Sequence, residues 1–130
     1  MIGSIDWLSV LAAGIAGYIF GAIYYTVLGT QWMAALGTTK EELEKRKSPA
    51  PFVIAAIGQF VLAVTLSILA GAESGTAPML ALALLLWIGI VMTTMTINHS
   101  FQGNKPALTI IDGLHWLGVL MLQSVVLSLV

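Results

Sequence analysis

The sequence predicts an all-α fold: an integral membrane, four-transmembrane-helix bundle with both termini on the non-cytoplasmic side. Three observations predict it. Apolar residues fill 58% of the 130 positions and charged residues only 8%, with a mean hydropathy of +0.98, far from the balance of a soluble globular domain. Four stretches, residues 7–28, 52–71, 78–97 and 107–130, contain no Lys or Arg. Each is long enough to cross a hydrocarbon core of roughly 30 Å at about 1.5 Å per helical residue. The five Lys and Arg side chains are confined to the segment between the first two stretches and the turn before the fourth.

The first span is expected to be a permanent helix, because a cleaved leader needs a basic segment ahead of its apolar run and the first positive side chain is Lys40. The loop of residues 29–51 carries Lys40, Lys45, Arg46 and Lys47. Within it, Thr38-Thr39-Lys40-Glu41-Glu42 holds two overlapping capping-box patterns, with Glu41 and Lys45, and Glu42 and Arg46, at pairing distance along a helix. A short surface helix is expected there. It reads either as a solvated face or as a dock for anionic lipid or a partner, and three Glu dilute the second signal. Pro51, Pro78 and Pro106 stand at the starts of the later spans, where a missing N–H costs little, and Gly29, Gly71 and Gly103 follow near helix ends.

Positive charges in short loops stay on the cytoplasmic side. Residues 29–51 and the turn holding Lys105 are therefore expected in the cytoplasm, and residues 72–77 and both tails outside, with Trp7 and Trp32 as anchors at opposite interfaces. One transmembrane domain covers residues 1–130.

Small residues recur at four-residue spacing as Ser9, Ala13, Gly17 and Gly21 in the first span, and as Ala55, Ala63, Ser67 and Gly71, with Gln59 in the row, in the second. Lipid tails are as apolar as Leu, so close backbone approach and polar bridges must hold such helices together. These rows pack either within one chain or as a seam between copies.

Asp112 and His115, three residues apart in the fourth span, are the outstanding polar pair. An ionisable group inside a membrane is costly and marks a functional site by default. Counting helix rise from the basic-loop end places Asp112 roughly 9 Å deep, His115 roughly 13 Å and Gln59 roughly 12 Å, with Tyr24, Tyr25, Thr93 and Thr94 roughly 5 Å deep. Asn98 and His99 close the third span at the same end, so one polar layer is expected to draw on all four helices. Asp112 there either holds helices together, relays a proton or cation, or ligates a metal. His99, Asp112 and His115 have the ligand types of a divalent site, but residue types without geometry assign no metal and no cofactor. Trp87 and Trp116, near mid-membrane, need partners for their indole N–H groups, and Met92 and Met95 read as packing. Asn98-His99-Ser100 matches a glycosylation sequon on the wrong side of the membrane.

Several classes fall away. A net charge of −1 leaves no basic surface for nucleic acid, and without Cys there are no disulfides or thiolate sites. No base and nucleophile stand together, so no enzyme is expected. Small multidrug exporters share the size and helix count, but they rely on a Glu within the first span, where this chain has only Asp6 at the outer edge.

Ordered motifs carry one family resemblance. Ile5-Asp6-Trp7-Leu8 opens the first span, Gly21-Ala22-Ile23-Tyr24-Tyr25 closes it, and Trp32 and Ala35-Leu36-Gly37-Thr38-Thr39-Lys40-Glu41 follow. Trp87-Ile88-Gly89, Thr93-Thr94, Asn98-His99-Ser100-Phe101, Ile111-Asp112-Gly113 and His115-Trp116 complete the order. Together these resemble the small bacterial membrane proteins grouped as domain of unknown function 1761. The resemblance covers nearly the whole chain and implies four helices in a bacterial inner membrane, with no activity to carry over. The expectation is therefore a structural or accessory subunit, embedded in the lipid bilayer as a homo-oligomer or as part of a larger membrane complex. The alternative is a proton-coupled carrier or channel using Asp112 and His115.

Overall fold

The computed structural model describes residues 2–71 and 75–130; of the turn expected at residues 72–77, Ala72, Glu73 and Ser74 lie outside the described residues. Helix α1 spans Trp7–Val27. It begins there because the Asp6 carboxylate accepts from the Leu8 N–H (3.1 Å), the Ser9 N–H (3.3 Å) and the Ser9 hydroxyl (2.9 Å), satisfying donors a helix start leaves open. The Ser9 hydroxyl, then the Ser9 N–H, hold the Asp6 carboxyl below its ordinary pKa of 3.8.

The segment expected as a loop starts instead with a second helix, α2 (Gly29–Leu36), separated from α1 only by Leu28. Gly29 opens this helix rather than marking the end of the first. Gly37, at φ +80°, stops it, and the Gly37 and Thr38 N–H groups both bond the Met33 carbonyl. The expected surface helix is α3 (Lys40–Lys45), capped by Thr39 through the Glu42 N–H at 3.2 Å. Among the described residues, its two expected ion pairs do not form. The helix ends at Lys45 with Arg46 as its cap, and the Glu42 carboxylate takes the Thr38 hydroxyl at 2.9 Å.

Helix α4 spans Ala50–Ala70, with Pro51 in its first turn and Gly71, at φ +78°, after its last. The third span is continuous over Thr76–Phe101: α5 (Thr76–Leu86), a six-residue π segment (Trp87–Met92) and α6 (Thr93–Phe101). Gly103 turns the chain at φ +73°, and α7 runs over Pro106–Leu129. Four helices are thus long and apolar enough to cross a membrane.

The most buried helix is α7, packed between α1 on one side and α5 with the π segment on the other, while α4 lies mainly along α1. Toward the termini the helices meet in two apolar clusters, beside a groove of about 260 Å³ bordered by Asp6, Ser9, Ser67 and Ser128. Ile5, Val10, Ala13 and Ala63 form one core against Val126 and Leu127, and Leu66, Ala83 and Leu120 form the next. Toward the basic loops α4 stands free, with every residue from 50 to 57 exposed. The outward faces carry large apolar side chains such as Leu85 and Ile88, as a lipid-facing surface requires.

Candidate functional site

One turn of α7, Ile111 to Trp116, collects the polar contacts of the basic-loop half. Tyr24 and Tyr25, adjacent near the end of α1, both reach it. The Tyr24 hydroxyl donates to the Ile111 carbonyl and the Tyr25 hydroxyl to Asp112 Oδ1, each at 2.6 Å. From the opposite side Trp87 Nε1 donates to the Gly113 carbonyl at 2.7 Å, and the Met92 sulfur packs where a Gly113 side chain would stand. Trp87, Met92 and Gly113 therefore depend on the π segment, whose wider turn presents Trp87 and Met92 to the same stretch of α7.

His115 is 5% exposed. Its ring lies against Tyr25 (centroids 4.8 Å apart), Trp116 (4.6 Å), Tyr24 (5.5 Å) and Phe20 (6.2 Å). Gly21 makes this seat possible, because a Cβ there would stand 2.9 Å from His115 Nε2. Neither ring nitrogen hydrogen-bonds to any described residue, and Nδ1 is fully buried. A buried imidazole without partners is costly, more so in lipid than in a wet site.

Gln59 does not join this turn. Gln123, which the sequence reading missed, donates from Nε2 to Gln59 Oε1 (2.8 Å) and to the Gln59 carbonyl (3.1 Å), both residues being buried. Gly17 clears the space, since a Cβ there would collide with both amides. Gln59 thus bonds Gln123 while still lining one groove with His115. The helices start at different heights: Pro51 and Phe52, at the start of α4, line that groove with His115 and Trp116, nine and ten residues into α7.

That groove, of about 590 Å³, runs between α1, α4 and α7 and is bordered by Tyr25, Phe52, Ala55, Gln59, His115 and Trp116. Among the described residues, no charged side chain lines it. Asp112 stands behind Tyr25, outside the lining.

Other expected members lie elsewhere. The Thr93 hydroxyl bonds the Ile88 carbonyl at 2.9 Å, closing the π segment, and Thr94 bonds the Ile90 carbonyl at 2.7 Å. His99 Nδ1 pairs with the Thr109 hydroxyl at 2.9 Å, and Asn98 is exposed. Among the described residues, His99, Asp112 and His115 do not come together as a metal-holding group. Lys105 caps α2 through the Ala34 carbonyl at 3.2 Å rather than reaching Asp112. Trp87 finds its expected partner, whereas the Trp116 indole makes no hydrogen bond among the described residues and faces the groove.

Several residues of the small-residue rows pack within the chain, while Ala55 is exposed. Ala13, Gly17 and Ala63 are buried inside the bundle, Gly17 and Gly21 seat polar side chains, and Gly71 terminates α4. Among the described glycines, Gly14, with Phe60 Cα 3.6 Å from its Cβ position, is the one that marks backbone against backbone.

In comparison with known proteins, a family model described as a protein of unknown function (DUF1761) fits residues 8–128. No curated protein and no solved structure matches the chain.

Proposed function

Since the chain belongs to this DUF1761 family, whose description carries no activity, we propose from the site itself that the protein is a proton-coupled carrier or channel of the bacterial inner membrane. One observation carries this reading: His115, buried and without a hydrogen bond to any described residue, forms part of the wall of a solute-sized groove directly beside the Tyr25–Asp112 pair. Asp112 holds the coupling proton. As a carboxylate it only accepts, and Tyr25 donates to it; once protonated it has a donor of its own, which frees the Tyr25 hydroxyl for the groove. His115 meets the solute at the same level. Both basic loops face the cytoplasm in this reading, so the groove opens toward that side.

Reconstituted protein in vesicles holding a pH-sensitive dye, under an imposed potassium potential, tests it. Proton flux above that of protein-free vesicles, lost in Asp112→Asn, is expected. Equal flux from the folded variant overturns the reading.

An accessory-subunit role draws on a different observation: beyond Ala83 no residue of the third span is buried within the chain. Crosslinking in native membranes that joins α6 to another polypeptide supports that role.

A further inference from the structure

The groove at His115 meets a second one along the same stripe of α1. Tyr18 borders both, and the second, about 260 Å³, is walled by Leu11, Ile15, Ile19 and Phe60. Positions 11, 15, 18, 22 and 25 recur at three- and four-residue steps, so they form one face of the helix. That face, with α4 beside it, carries the two grooves end to end, a track of two parts meeting at Tyr18. From Tyr25 to Leu11 it covers fourteen helical steps, roughly 21 Å at about 1.5 Å each, well over half of a hydrocarbon core of roughly 30 Å.

The two ends of the track differ in chemistry. The His115 end offers hydrogen-bonding groups: His115 Nε2, beside the groove-lining Gly21 and without a hydrogen bond to any described residue, and Gln59, whose amide nitrogen donates to no described residue. The Phe60 end is apolar. Neither end places a charged side chain on its lining among the described residues, so an ionic head finds no counter-charge there. The sides are open as well, since residues 50–57 of α4 are exposed along their whole length, and entry from the bilayer meets no covering helix.

We propose that this track binds an uncharged amphiphile taken laterally from the membrane, its hydrogen-bonding head at His115 and Gln59 and its apolar tail along Tyr18, Ile15 and Phe60. The proposal rests on reading the groove as a binding site, but not on proton flux. Binding without flux defeats the carrier alone, and flux without binding defeats the amphiphile alone.

The test uses the full chain in nanodiscs of phosphatidylethanolamine and phosphatidylglycerol, with a monoacylglycerol carrying a photoreactive diazirine in its tail as the probe. Crosslinks mapped by mass spectrometry are expected on the α1–α4 track. Excess monoolein or a decyl quinone removes them, whichever head the site prefers, and oleate, with the same tail and a charged head, does not. Ala55→Phe fills the groove from α4 and Ala22→Phe from α1, both at exposed positions, and each lowers crosslinking about tenfold, as overfilling a bound ligand's space costs. Ile97→Phe, exposed on the third span, leaves it unchanged. Crosslinks spread evenly over the third span, equal competition by oleate, or full crosslinking in both groove variants would overturn the proposal.

Discussion

The two halves of the bundle place their polar groups differently. Toward the termini, Asp6 and Ser9 cap α1, the Thr76 and Ser128 hydroxyls pair at 2.7 Å, and the Ser124 hydroxyl, with no hydrogen bond among the described residues, is sealed inside the bundle. Toward the basic loops, α7 is clamped by Tyr24, Tyr25 and Trp87, yet α4 leans away and His115 has no hydrogen bond among the described residues, beside an open groove. The Gln59–Gln123 pair divides the halves. Where polar groups satisfy one another they hold helices together; where a buried one is left over beside a groove, it is available to something else.

This contrast can be broken from either half. The largest loss of stability is expected for Gly17→Leu, which drives a branched side chain into both Gln amides. Overpacking of about 1–3 kcal/mol adds to the broken pair, and thermal melts in detergent measure it. Next comes Gln123→Leu, which removes both bonds to Gln59 and is expected to cost about 1–2 kcal/mol, the upper range for hydrogen bonds between membrane helices.

A smaller effect is expected for Asp6→Ala, and it depends on pH. The folded carboxyl titrates below its ordinary value of 3.8, so its contribution is complete above that value and disappears as pH falls through the lowered one. The melting temperatures of Asp6→Ala and the parent chain should therefore differ at neutral pH and converge in strong acid. Smallest of all is His115→Phe. With no hydrogen bond to lose and aromatic rings on several sides, it should leave stability unchanged within about 0.5 kcal/mol, or raise it, while abolishing whatever the groove does.

Much of this was legible in the sequence for simple reasons. Apolar length sets the spans, Pro51 and Pro106 sit where helices tolerate them, and Asp112 and His115 stand out because charge is rare in such runs. Three features were not legible. Helix α2 is too short to show as a span, and it follows α1 with only Leu28 between. The stagger of α4 is set by packing, so depth counted from each helix's own start placed Gln59 near His115, whose groove it does line, without showing that it bonds Gln123. The four-residue rows of small side chains looked like backbone contacts, but Gly17 and Gly21 are small because Gln59, Gln123 and His115 occupy the space above them. Gln123 carried the same signal as Gln59, a polar amide inside an apolar run, and that signal was enough to find it.

Accessibility tests the open site beside His115 most directly, and the absence of Cys in the chain makes single-cysteine probes unambiguous. N-ethylmaleimide modification in membranes is compared for Ala55→Cys in the groove, Ile54→Cys on the neighbouring outward face and Ala63→Cys in the sealed core. A groove that admits water to ionise the thiol predicts modification at position 55 faster than at 54 or 63 by about an order of magnitude. Equal rates at 55 and 54, or protection at 55 as complete as at 63, would contradict an open site beside His115.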